Sequence, residues 1–312
     1  DAMLATSTLP EVVALYRDAG LPLEARRVQR VLQEKVRESR ALMGQHEFVQ
    51  KIPKVEMEAW LAGKSEGGLD QALLRIALEF MTREAEMRQQ IADTAKAAPL
   101  FAMITKTLHA EDHVAGTVGN AATDETGALL FEASRWMQLS TFWLFRILDH
   151  VIEQFGVDAG DLVSRINASG LFEDDTTLLQ KGIQAWLDED HIQAVHLLIP
   201  QIERGVRALV HAIGQPVTKP HREVDGVSQA IGIGDALHDP EFARAYGPDL
   251  RFHLMALYAD PRGWNLRNRL AHGLLRAHDM DAGQSVWLIQ TLLLLGISAI
   301  AKGDAPTSAV GH

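Results

Sequence analysis

The chain has 312 residues, enough for one large or two medium domains, and its 47% hydrophobic and 23% charged residues exclude a disordered polypeptide. A net charge of −11 excludes coating of nucleic acid through a broad basic surface, while leaving room for a local basic site. The absence of cysteine excludes disulfides, thiolate nucleophiles and cysteine–zinc sites, and is compatible with a reducing compartment.

The opening residues, DAMLATSTLPEV, have neither the basic region nor the apolar core of a signal peptide, so the expected location is the cytoplasm. Periodicity is helical almost throughout, and no alternating run is long enough to found a sheet, so the expected class is all-α. Residues 9–44 read as two helices parted at AGLP, where glycine ends one and proline begins the next. Helices follow near 53–64, 69–88 and 89–110, and their short connections suggest stacked antiparallel hairpins. The stretch HVAGTVGNAATDETG, 113–127, has no apolar stripe and reads as a linker between a helical N-terminal domain, 1–112, and a second helical domain, 128–303.

Residues 128–155 are apolar on nearly every face and should form a buried central helix. Further helices are expected near 159–168, 175–188, 190–213, 248–258, 265–278 and 282–302, with a long irregular connection over 214–247. The uncharged run 282–301 has the length of a membrane span, but Gln284, Ser285, Gln290, Thr291 and Ser298 favour a core or dimer helix, so no membrane partner is expected. Residues 304–312 read as a frayed tail.

Two helices carry polar stripes. At about 100° per residue, Asn265, Asn268, His272 and Arg276 share one face of a helix over 265–276, while Leu266, Leu270 and Leu274 share another. Arg267 falls away from the polar face. With Asn265 as N-cap, Arg267 lies in the first turn and its long side chain can swing around the helix end; Arg269 is its rival. Residues 262–276 hold Arg262, Arg267, Arg269 and Arg276 and no carboxylate, a local charge of +4. Two readings follow: an anion site, because the arginine fork suits phosphate, or a basic helix paired with acids elsewhere. The second stripe, in DHIQAVHLLIPQIERGVRALVHAI (190–213), aligns His196, Pro200, Glu203 and Arg207 on an otherwise apolar helix. Pro200 should bend it. Glu203 and Arg207 are either an ordinary i,i+4 surface pair or part of a half-buried seam in which Glu203 positions an arginine of the first stripe.

The run Arg267-Asn268-Arg269-Leu270-Ala271-His272 fits RxxxxH with a polar residue directly after the arginine, and so resembles the motif of the HEPN superfamily. The phrases NLRNRLAHG and AVHLLIPQIERGVR resemble, more narrowly, a HEPN-like C-terminal domain of unknown function in helical bacterial proteins; the likeness covers about 125–303. It implies a metal-independent endoribonuclease that works as a homodimer without a cofactor, in the setting of phage defence or a toxin. It further implies that Arg267, Asn268 and His272 are catalytic and that RNA is the substrate; the two stripes offer Asn265, Arg269, Arg276, Glu203, Arg207 and His196 as residues that bind substrate or support those three. Some members bind nucleotides or partners without cutting, which leaves a non-catalytic binding module as the alternative.

Other constellations carry less. LHAEDH (108–113) places His109 and His113 at i,i+4 around Glu111, a helical zinc spacing, but the acid is misplaced for a metalloprotease base, and no metal is expected. The glycines of DGVSQAIGIGD (225–235) follow no strand of a βαβ unit and do not form a dinucleotide loop.

Overall fold

The computed structural model describes residues 1–44, 51–109, 113–173 and 175–303; Glu111 and the expected tail, 304–312, lie outside them. In chain order the elements are α1 (Ala2–Asp18), α2 (Pro22–Leu42), α3 (Lys54–Ser65), α4 (Leu69–Glu79), α5 (Glu84–Ala97), α6 (Pro99–Ala102), β1 (Lys106–His109), β2 (Val114–Val118) and α7 (Glu125–Phe155). Then come α8 (Ala159–Ile166), α9 (Thr177–Leu187), α10 (His191–Ala212), β3 (Thr218–Pro220), β4 (Ser228–Ala230), α11 (Ile233–His238), α12 (Pro240–Tyr246), α13 (Pro248–Leu254), α14 (Leu266–Ala271) and α15 (Ala282–Gly303). A π-helical turn, Met255–Ala259, extends α13, and a 3-10 turn, Ala277–Asp279, precedes α15. The protein is thus mostly α-helical.

Several boundaries follow directly from local chemistry. Gly20 takes a φ of 71° and Pro22 is the first residue of α2, so the AGLP break lies where the sequence places it. Asp158 and Asp161 close a reciprocal capping box at the start of α8. The helix α10 continues through Pro200, whose position is exposed.

Three expectations are corrected. Lys106–His109 and Val114–Val118 pair as antiparallel strands, β1 with β2, rather than forming the end of a helix and part of a linker; Thr107, Val114, Thr117 and Val118 supply the β-prone side chains. The connection 214–247 contains a second hairpin, β3 with β4, and the short helices α11 and α12. The helix expected over 265–278 stops at Ala271, because Gly273 follows with a φ of 65°, the left-handed conformation that ends helices and that glycine adopts without strain.

The compact units are also drawn otherwise than a linker at 113–127 would divide them. One gathers residues 1–51 and 87–132, the other 52–86 and the chain from 133 onward. The first is built on the paired helices α1 and α2 and the β1–β2 hairpin, with Val13, Leu32, Val36, Met87 and Val118 among its buried side chains.

The second unit is organised around α15, which contacts α4, α8, α9, α10 and α12. Its window 282–301 is long and apolar enough to cross a membrane, yet 67% of it is buried inside the fold, as befits a core helix. Trp287 sits at the centre, with the rings of Phe80, Trp136, His253 and Trp264 each between 6.0 and 6.4 Å away, and its indole N–H donates to Thr141 Oγ1 at 2.9 Å. The buried pair His253 and Gln290 is fully engaged. Thr82 N–H donates to His253 Nδ1 at 3.1 Å, which leaves Nε2–H to donate to Gln290 Oε1 at 3.1 Å, and Gln290 in turn donates to Ala77 O at 2.9 Å. Burial drives the His253 pKa down to about 4, against a smaller upward pull from Gln290, so the ring is neutral near pH 7.

Candidate functional site

All of the motif residues lie in the second unit, where the chain leaving α13 turns sharply before α14. Trp264 N–H donates to Ala256 O at 2.7 Å, and this close approach depends on Gly263: a Cβ there would stand 2.1 Å from the same oxygen. Asn265 follows in the left-handed region, φ 52°, and is the N-cap of α14. Its side chain does not cap the helix; Asn265 Oδ1 accepts instead from Asn268 Nδ2 at 2.7 Å. Asn268 Nδ2 also reaches Ala259 O at 3.4 Å, so its amide is held from two sides.

Arg267 occupies the first turn of α14, and its guanidinium leaves the helix to meet Glu203 on α10. Arg267 Nε donates to Glu203 Oε2 at 2.9 Å and Nη2 to Oε1 at 3.2 Å, the two-point geometry that a planar fork makes with a carboxylate. Glu203 is only 13% exposed and also accepts from Ile233 N–H at 3.2 Å, at the start of α11. Arg207 approaches the same carboxylate at 3.5 Å. The second stripe therefore meets the first through Glu203, and Arg267 is fixed by an acid 64 residues away.

The remaining arginines revise the picture of an unneutralised basic stretch. Arg262 makes a fork to Asp260, with Nε and Nη2 each at 2.9 Å from a carboxylate oxygen. Burial works against the Asp260 charge, but the hydrogen bonds and positive charge of Arg262 outweigh it and hold that carboxyl below its usual pKa. Arg269 donates to Asp279 Oδ2 at 3.2 Å. Three of the four arginines thus face carboxylates: one just before the run, one just after it and one on α10. Pairing with acids, one of the two readings of the local charge, describes these three.

Early termination of α14 also alters the stripe itself. His272 is the C-cap, exposed, and its side chain makes no hydrogen bond among the described residues. Arg276 lies beyond the helix, exposed, and Leu274, expected on the apolar face, is 42% exposed while Leu275 is buried in its place. His196 is likewise exposed on α10, with Nδ1 donating to Ile192 O at 2.8 Å, and makes no hydrogen bond to the Arg267–Glu203 pair.

Beside this cluster is a cleft of about 350 Å3 lined by Gly232, Ile233, Asp235, His238, Ala259, Arg267 and Asn268, among others. It joins two of the three residues singled out in the motif to a segment the sequence did not implicate. His238 donates from Nδ1 to Gly234 O at 2.7 Å, since a carbonyl can only accept, and this leaves Nε2 as the lone-pair nitrogen of the neutral ring. Asp235 on the same helix is held by Lys219 at 2.6 and 2.7 Å; those hydrogen bonds, with that of Gly232 N–H, keep its carboxyl below the ordinary range despite partial burial. The signal available in the sequence was Asp235 and His238 at i,i+3 after two glycines, a pattern too common to stand out.

The zinc spacing at His109 and His113 does not exist as a helical pair. His109 ends β1 and His113 precedes β2, while His109 Nδ1 lies 3.1 Å from Ser39 Oγ; burial, then the charge of Arg40, lowers its pKa.

No protein-family model matches this chain, and neither a curated protein nor a solved structure does. The structure defines a mostly helical protein with a braced arginine and an asparagine on one cleft wall, and the functional reading rests on that geometry together with the motif.

Proposed function

We propose that the chain is a metal-independent endoribonuclease of the HEPN type, with Arg267, Asn268 and His272 at its active site. The observation that carries the reading is the division of labour along α14. Arg267 and Asn268 are held by Glu203, Asn265 and Ala259 at its start, whereas the side chain of His272 at its end is exposed and, among the described residues, makes no hydrogen bond. Phosphodiester cleavage uses both kinds of group: fixed donors for the negative charge that develops on the phosphoryl oxygens, and a histidine able to move a proton near neutral pH.

In the proposed reaction His272 takes the proton of the ribose 2′-OH as the 2′-oxygen attacks the adjacent phosphorus. Arg267 stabilises the added negative charge on the phosphoryl oxygens and Asn268 orients the phosphate. The bond to the 5′-oxygen then breaks, that oxygen is protonated, and the products are a 2′,3′-cyclic phosphate and a 5′-OH end. Protonation of the leaving oxygen falls to His272 of a second copy in a homodimer; His238, on the cleft wall, is the candidate within one chain.

Incubating purified protein with an end-labelled RNA in EDTA and analysing the product termini tests this. Cleavage with cyclic-phosphate and hydroxyl ends is expected, and binding without cleavage across RNAs of varied sequence and structure contradicts it. One observation favours a second reading, that of a non-catalytic module for an anionic ligand or partner. Arg262 and Arg269 are committed to Asp260 and Asp279, which leaves little free positive charge to draw a long RNA. Under that reading His272→Ala changes nothing, while charge reversal at Arg276 abolishes binding.

A further inference from the structure

A second, larger cleft lies elsewhere in the same unit and shares no lining residue with the first. It measures about 690 Å3 and opens where the segment between α8 and α9, the C-terminal half of α10 and the β3–β4 hairpin come together. Its volume is that of a small-molecule site. Leu171, Leu209, Ala212 and Val217 supply apolar wall, and Arg204 and Arg207 supply charge.

The two arginines are unusual in how they are held. Arg204 is fixed in place by neutral groups: Nη1 donates to Asp175 O at 2.8 Å, Nη2 donates to Phe172 O at 3.0 Å, and the guanidinium lies 5.9 Å from the centre of the Phe172 ring. Among the described residues its nearest carboxylate, Asp175, is 3.9 Å away on a side chain that is 72% exposed. A fixed cation with its charge barely compensated is the result.

Arg207 is 30% exposed and, among the described residues, its guanidinium makes no hydrogen bond. Its one carboxylate, Glu203 at 3.5 Å, already receives the fork of Arg267 and the N–H of Ile233. One negative charge therefore serves two arginines, and the unsatisfied donors belong to Arg207. A half-buried guanidinium that makes no hydrogen bond among the described residues keeps donors for an anion in the cleft, and charge-assisted hydrogen bonds to such an anion are the strong kind. Among the described residues the opposing charges at the rim are Glu173 and Asp175, both exposed.

We propose that this cleft binds a small organic anion, with an oxyanion headgroup, carboxylate or phosphate, on Arg207 and Arg204, and a compact apolar body against Leu171, Leu209, Ala212 and Val217. The site stands independently of whether the chain cuts RNA. It is also electrostatically tied to the other cleft, because an anion that draws Arg207 leaves Glu203 to Arg267 alone.

Calorimetric titration with phenyl phosphate, benzoate and inorganic phosphate tests it. Saturable one-to-one binding of phenyl phosphate or benzoate is expected, whichever headgroup the site prefers, with inorganic phosphate at least about tenfold weaker because it buries no apolar surface. Arg207→Gln removes a guanidinium that makes no hydrogen bond among the described residues and should weaken binding at least about tenfold. Ala212→Trp, which fills the cleft from an exposed position, should do the same while leaving the circular dichroism melt unchanged. The proposal is overturned if neither organic anion saturates by about 1 mM, if inorganic phosphate binds equally well, or if both folded variants bind as the unaltered protein does.

Discussion

The second unit holds two polar networks built from similar groups: His253 with Gln290 and Thr82 in the core, and Arg267 with Glu203 and Asn268 at the wall of a cleft. In the first, every partner is protein, the histidine is fully buried, and its pKa falls to about 4. In the second, the groups are half-buried, and the histidine one turn further on is exposed, its side chain without a hydrogen bond among the described residues. Polarity inside an apolar helix is therefore common to a structural seam and to a candidate site. What separates them is spare hydrogen-bonding capacity at a place a ligand can reach.

The comparison can be strained by acid first, where the largest stability effect is expected. The folded-state pKa of His253 lies below its ordinary value near 6.5, so its contribution is fully present above about pH 6.5 and is lost as pH falls toward 4. The loss amounts to roughly 3 kcal/mol by the size of the shift. Urea midpoints between pH 7 and pH 4 measure it, and His253→Gln, already weakened at pH 7, should show a shallower decline. Equal declines in the two proteins contradict the assignment.

Gln290→Leu comes next, at about 2 kcal/mol, since it strips the partner from both His253 Nε2–H and the Ala77 carbonyl in a water-excluded core. In the cleft network the matching change is Glu203→Gln, which leaves Arg267 and Arg207 without their shared negative charge. A third of the Arg267 side chain is exposed, so solvent softens the cost to about 1.5 kcal/mol in thermal or urea unfolding. A Glu203→Gln cost well above that of Gln290→Leu means that the brace is as buried in effect as the core network. The smallest effect belongs to Asp279→Asn, which frees Arg269 at the surface: about 0.5 kcal/mol, fading in high salt.

Legibility in the sequence followed interaction range. The break at Gly20 and Pro22 and the extent of α10 are set by neighbours within a turn, and both were visible. The hairpins were not, because β1 and β2 are four and five residues long and β3 and β4 three each, too short for alternation to register. Gly273 was a readable stop signal for α14, masked by the leucines that follow it. The meeting of Arg267 with Glu203 could be anticipated from two stripes of matching character. The pairing of Arg269 with Asp279 could not, because it requires the helix to end and the chain to double back. His238 and the arginine-lined cleft are products of tertiary packing, and no local pattern announces them.

The most direct test of the account compares RNA cleavage by the unaltered protein and by His272→Ala, in EDTA, with both confirmed folded by circular dichroism. The His272 side chain is exposed and, among the described residues, makes no hydrogen bond, so its removal should leave the melt unchanged while lowering the cleavage rate at least about a hundredfold. Cleavage that survives in His272→Ala, or that is absent from the unaltered protein, contradicts the assignment of this site.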